Sequence, residues 1–190
     1  SLMTIRFMHF TTINSGEKSP KKKKRILMTI KHWDLGKAMY KNLLNGVLYQ
    51  DRDLKKDAKE NFETVTEAKP SAEQMDDLTF ASICAKHLKS NTIALVKNKQ
   101  MVGMGCGQTS RVDACIQAIA KAKQFGFNLE GAVMASDAFF PFPDCVEIAH
   151  KAGIKAVLQP GGSINDKLSI AYCNENSLPM VTTGTRHFKH

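Results

Sequence analysis

No stretch of this 190-residue chain approaches the ~20 consecutive apolar residues that a membrane-spanning helix requires, so no membrane partner is expected. The N-terminus lacks the apolar core of a secretion signal, and its Ser1-Leu2 before Met3 reads as a cloning remnant. Cys-x-x-Cys is missing as well. The five cysteines, Cys84, Cys106, Cys115, Cys145 and Cys173, are odd in number and scattered, which argues against a disulfide framework and a zinc finger alike. Reduced thiols in a cytoplasmic protein fit this usage best. No aromatic residue interleaves with the chain's basic run, Lys18, Lys21, Lys22, Lys23, Lys24 and Arg25, which weakens a nucleic-acid reading despite a net charge of +9. Such a run usually forms a solvated segment, and the remaining excess suits an enzyme with anionic substrates.

What is present divides near residue 70. Residues 1–69 are irregular and charged, with short strands expected over 3–13 and 25–30. A turn at Asn45-Gly46 leads into Val47-Leu48-Tyr49, and residues 51–60 read as a surface linker. From Pro70 the pattern sharpens. Ser71 and Gln74 form a capping box, followed by Met75, Leu78, Ser82, Ala85 and Leu88 at helical spacing. Residues 92–96 and 100–104 predict a hairpin through Lys97-Asn98-Lys99. Ser110 caps a second helix whose apolar face is read as Val112, Cys115, Ile116, Ile119 and Ala120. Strand, helix, strand, helix and strand follow, beginning at Val133 and ending over 180–182. Residues 70–190 are therefore expected to form an α/β domain, a three-layer α/β/α arrangement with a mostly parallel sheet and one antiparallel hairpin.

Ligands bind such sheets at strand ends, and three loops stand out there. Gly103 to Arg111 offers glycines for close backbone approach, a helix start and a cation; the alternative is a plain tight turn. Ser136 to Asp144 carries Phe139, Phe140 and Phe142 beside Asp137 and Asp144. Its rings either stack a flat ligand or tuck beneath the sheet. Pro160 to Asp166 is a glycine turn whose amides either hold an anion or simply cap a helix.

Asn45 to Asp51, Lys89-Ser90-Asn91, Gly105 to Arg111, Ser136 to Asp144, Gln159 to Ile164 and Arg186-His187-Phe188-Lys189-His190 occur in the order found in AICAR transformylase, the C-terminal domain of a bifunctional purine biosynthesis protein. The chain resembles the second of that domain's two cytidine-deaminase-like repeats. The resemblance implies formyl transfer from 10-formyltetrahydrofolate to the amine of AICAR, on the route to IMP. It implies that Asn91 bonds the AICAR base, that Arg111, Phe139 and Asp144 contact substrate, and that Val112, Ser163 and Ile164 border the folate. Arg186 would pair with the nucleotide phosphate, as its fork geometry suits. A potassium ion is associated with the family, and the resemblance places it near Asp137 and His190.

The family's Lys-His pair before a Pro-Gly turn belongs to the first repeat. Lys31-His32 and Lys86-His87 lack that context, so the base is not assigned to either. Zinc deamination needs His-x-Glu with Pro-Cys-x-x-Cys, and neither occurs. The chain thus reads as a partial or split formyltransferase, inactive alone and without ring-closing activity, that pairs with a partner carrying the first repeat. The alternative is a non-catalytic homologue that binds a purine nucleotide or folate. Phe139, Phe140 and Phe142 are expected near an uncovered apolar surface, and a homodimer is the expected cover.

Overall fold

The structure, a computed structural model, describes residues Gly36 to Phe188. The strands expected over 3–13 and 25–30, the lysine run, Lys31-His32 and His190 lie outside these residues. Contacts divide the chain into two units at Leu54/Lys55. The first contains an antiparallel hairpin of β1 (Ala38–Leu43) and β2 (Gly46–Asp51), turning at Leu44-Asn45. Tyr40 and Tyr49 face each other across it, edge to face, with ring centroids 5.3 Å apart. The expected turn at Asn45-Gly46 is therefore present, one residue early.

The second unit is the α/β domain. Its elements are β3 (Glu63–Thr64), α1 (Ala72–His87), β4 (Ile93–Lys97), β5 (Gln100–Gly105), α2 (Arg111–Gln124), β6 (Val133–Ser136), α3 (Asp144–Lys151), β7 (Ala156–Gln159), α4 (Asp166–Glu175) and β8 (Met180–Thr182). They form a six-stranded sheet in the order β3-β8-β7-β6-β4-β5. Strands β5, β6, β7 and β8 share one direction, and β3 and β4 oppose them. This is the expected three-layer α/β/α arrangement, with a mostly parallel sheet and its antiparallel hairpin. The boundary differs from the change of pattern at Pro70, because residues from Lys55 onward join the domain and β3 pairs with β8. Among the described residues no helix is long and apolar enough to cross a membrane.

Side-chain alternation in the strands assigns the layers. Ala94, Val96, Val133, Ala135, Ala156, Leu158 and Val181 face α1 through its Leu78, Ala81 and Ala85. Ile93, Leu95, Met134, Val157 and Met180 face the opposite way, toward α2, α3 and α4. Helix α1 starts at the expected capping box, in which Ser71 accepts from the Gln74 N–H and Gln74 reaches back to the Ser71 N–H. The β4–β5 turn at Asn98-Lys99 has positive φ at both residues, and both N–H groups donate to the Asp77 carboxylate at 2.8 and 2.6 Å.

Helix α2 departs from its expected face. Its buried residues are Ala114, Cys115, Ala118, Ile119 and Ala122, whereas Ile116 is half exposed and Ala120 is exposed. The cause lies in β5. A Cβ on Gly103 would meet the Ala118 carbonyl oxygen at 2.4 Å, and one on Gly105 would meet that of Ala114 at 1.9 Å. The helix backbone rests on the strand backbone, so alanines rather than the bulkier residues line the seam.

Candidate functional site

The loops singled out in the sequence meet at one edge of the sheet. Strands β5, β6, β7 and β8 end there, and β4, running the other way, begins there: Ile93 lies opposite both Gly105 and Ser136. Asn91 lies two residues before β4, after a cis peptide from Ser90. Its Nδ2 donates to the carbonyls of Gln108 and Thr109 at 2.9 and 3.2 Å, which ties it to the loop after β5 and leaves Oδ1 as an acceptor.

Asp137, at the end of β6, organises the middle of the edge. Its Oδ1 accepts from the Thr92 N–H at 3.1 Å and from Arg111 Nη2 at 3.2 Å. Arg111 opens α2 behind the Ser110 cap, and its Nε donates to Ser136 Oγ at 3.0 Å. The Asp137 side chain is 0% exposed and that of Arg111 only 11%. A buried carboxylate thus already offsets the charge of Arg111. The second carboxylate oxygen of Asp137 is buried and has no hydrogen-bond partner among the described residues.

The aromatic loop divides. Phe140 is fully buried and its N–H donates to Gln159 Oε1 at 2.8 Å. Phe142 is 55% exposed and Phe139 is intermediate. The expected patch of three exposed rings is thus corrected, because Phe140 belongs to the core. Phe139 turns toward Arg186, whose guanidinium carbon lies 5.9 Å from the Phe139 ring centroid and 4.3 Å from that of Phe188. Such stacking orients an exposed guanidinium while leaving its N–H fork open. Asp144 is exposed at the start of α3 and accepts from the Cys145 N–H at 2.7 Å.

In the glycine turn after β7 the capping alternative holds. The N–H groups of Gly162 and Ser163 both donate to Asp166 Oδ2, at 2.7 and 3.0 Å. The chain's own carboxylate fills this anion nest, so Ser163 is held there and Ile164 projects at 95% exposure. Val112 packs partly buried against the core. A cleft of about 320 Å³ beside this turn is lined by Asn61, Glu63, Val65, Gly161, Asp166 and Ile170 among others.

Two buried thiols, those of Cys145 and Cys173, are poorly suited to nucleophilic work. A hydrogen bond with Cys115, together with burial, holds the Cys145 thiol well above its ordinary range, and burial pushes Cys173 up to about 12. Lys86 Nζ donates to the Lys55 carbonyl and His87 is exposed, so this Lys-His pair does not act as a unit.

Asp57 had no sequence signal, and His187 entered only as one residue of the C-terminal motif, with no role given to it. His187 is 5% exposed, with Nε2 3.2 Å from Asp57 Oδ2. Asp57 also accepts a short hydrogen bond from Ser82 Oγ. Burial drives the Asp57 carboxyl upward, but hydrogen bonds from His187 and Ser82, with the charges of His187 and Lys55, outweigh it and set the net value below the ordinary 3.8. A carboxyl lowered on folding adds stability that is complete above its unfolded value and lost as pH falls through its folded one. Urea midpoints recorded between about pH 5 and pH 2 should therefore show the advantage of the unaltered chain over Asp57→Asn shrinking as pH falls. Parallel curves across that window would reject a depressed Asp57.

A profile described as AICARFT/IMPCHase bienzyme matches residues 15–121, more than half of the chain. The chain belongs to that family. Among its relatives, the bifunctional purine biosynthesis protein PurH of Bacteroides thetaiotaomicron is 59% identical over 169 residues, covering 89% of this chain and 33% of that protein. PurH of Aquifex aeolicus is 51% identical over 150 residues, covering 79% and 29%. The chain thus spans about a third of the length of the bienzyme relatives it matches. Among solved structures, a diaminohydroxyphosphoribosylaminopyrimidine deaminase/5-amino-6-(5-phosphoribosylamino)uracil reductase from Thermotoga maritima overlays with a TM-score of 0.38. The two are 18% identical, over 58% of this chain and 35% of that one.

Proposed function

We propose that this chain is the second repeat of an AICAR formyltransferase domain in purine biosynthesis and that its sheet edge binds AICAR. One observation carries the reading: an exposed arginine, Arg186, is clamped by Phe139 and Phe188 at the same edge that presents Asn91, Arg111, Asp144 and Ser163. In this reading Arg186 takes the nucleotide phosphate, Phe139 flanks the base, and the Oδ1 of Asn91 accepts from the AICAR amine or carboxamide and so orients the attacking nitrogen. Arg111 offers Nη1, and Asp144 offers its second carboxylate oxygen. Val112, Ser163 and Ile164 form the folate border, with Ile164 as an exposed apolar contact for 10-formyltetrahydrofolate. A potassium ion would find in the unpartnered Asp137 oxygen one anionic ligand.

Formyl transfer also needs a base to accept the proton that the attacking amine releases. Among the described residues no Lys-His pair acts as a unit at this edge: Lys86 Nζ is held by the Lys55 carbonyl, and His87, at the C-terminal end of α1, is exposed. That favours catalysis only with a partner supplying the first repeat. The non-catalytic reading shares the AICAR site and differs in showing no transfer with any partner. Titration of the purified chain with AICAR by calorimetry tests the site. Arg186→Ala should weaken binding by roughly 1.5–3 kcal/mol, the worth of a hydrogen bond to a charged group. Equal affinity in the two proteins would remove the phosphate role.

A further inference from the structure

The proposed site leaves unused a buried polar trio, Asp57, Ser82 and His187, directly behind Arg186. His187 is fixed at two points. Its N–H donates to the Asp137 carbonyl at 3.0 Å, and its imidazole lies 3.2 Å from the Asp57 carboxylate. Asp57 is in turn held by Ser82 of α1. A single backbone bond fixes where an irregular segment runs but leaves open which way its side chains face. A second attachment, through a side chain, fixes that as well. With His187 turned inward at 5% exposure, its neighbour Arg186 is turned outward and lies over Phe188.

We propose that Asp57 and His187 form a latch whose role is to position Arg186 and Phe188 at the nucleotide site. Both are positioning residues: buried, and acting through the segment they hold. This inference rests on the AICAR reading for its consequence and on the structure alone for its geometry. Losing the latch frees Arg186 from its ring, and each productive contact must then first recover the lost orientation.

The test uses the whole chain, labelled with nitrogen-15. A guanidinium 4.3 Å from the Phe188 centroid should show a ring-current shift at Arg186 Nε–H, assigned by its loss in Arg186→Lys. His187→Leu should abolish that shift and weaken AICAR binding by about tenfold. His187→Gln, which keeps a nitrogen donor toward Asp57, should restore both, a rescue that mere filling of space does not give. An unchanged Arg186 shift in a folded His187→Leu protein overturns the latch, as does a failed rescue by His187→Gln. If His187→Leu does not fold, as judged by its amide dispersion, Asp57→Ala, which removes the acceptor, decides by the same signal, and retention of the shift there overturns the proposal. Should the unaltered chain fail to bind AICAR while the shift series behaves as expected, the latch stands and only the reading of the ligand falls.

Discussion

Replacing Gly105 by alanine is expected to destabilise the α/β domain by about 3–5 kcal/mol, at or beyond the upper end of overpacking effects. The added methyl would lie 1.9 Å from the Ala114 carbonyl oxygen, 2.7 Å from its carbon and 2.9 Å from its Cα. All three are backbone atoms of α2, so no rotamer change relieves the clash. The helix must lift from β5, which opens the seam of Ala114, Ala118 and Ala122. Against a typical domain stability of about 5–15 kcal/mol, such a loss leaves a protein that is marginal or aggregates. Gly107→Ala provides the contrast. Its φ is +66° and its nearest neighbour would be Lys89 Cδ at 3.7 Å, so only the backbone conformation is strained, at about 1–2 kcal/mol. Urea unfolding of the two variants measures both. A Gly105→Ala loss below that of Gly107→Ala would contradict the backbone-on-backbone packing. Because α2 begins at Arg111, the Gly105 substitution should also displace the site.

Those glycines show what the sequence could and could not convey. The capping box at Ser71 and Gln74, the hairpin around Asn98-Lys99 and the cap at Ser110 are local: the signal and the structure it dictates lie within a few residues. The succession of strands and helices, and with it the layered sheet, was legible for the same reason. The glycines of β5 suggested close approach correctly, but what approaches is α2, set by packing across the chain. The apolar face of α2 was misread because bulk does not mark the seam where a backbone sits against glycine. In the aromatic loop, no period distinguishes Phe140, which enters the core, from Phe142, which does not. Asp57 lay hidden in a charged stretch that reads as solvated, since its partners Ser82 and His187 are 25 residues away and at the far C-terminal side of the domain. The loops of the site were visible, yet the occupant of the amide nest, Asp166, looked only like the next residue of a helix start.

Arg111→Met is expected to cost about 3–5 kcal/mol, the effect of stranding a buried charge. Asp137, 26 residues away in sequence, is wholly buried; Thr92 N–H and Arg111 Nη2 share one of its oxygens, and the other has no partner among the described residues. Removing the guanidinium leaves that carboxylate with one backbone donor in a site it cannot leave. The bond from Arg111 Nε to Ser136 is lost with it. Methionine keeps much of the arginine stem's packing, so the loss reports the charge rather than a cavity. The double variant Arg111→Met/Asp137→Asn should recover a large part of the stability, because the amide still accepts from Thr92 while no buried charge remains. Urea midpoints for both singles and the double give the coupling directly. Additive losses would mean that the two side chains do not hold each other. A coupling of several kcal/mol would mean that Arg111 is first a brace for the loop after β6, and that any contact it makes with substrate is built on that brace. The same loop carries Phe139, and its Asp137 carbonyl receives the His187 N–H, so loosening it should slacken the Arg186 clamp as well.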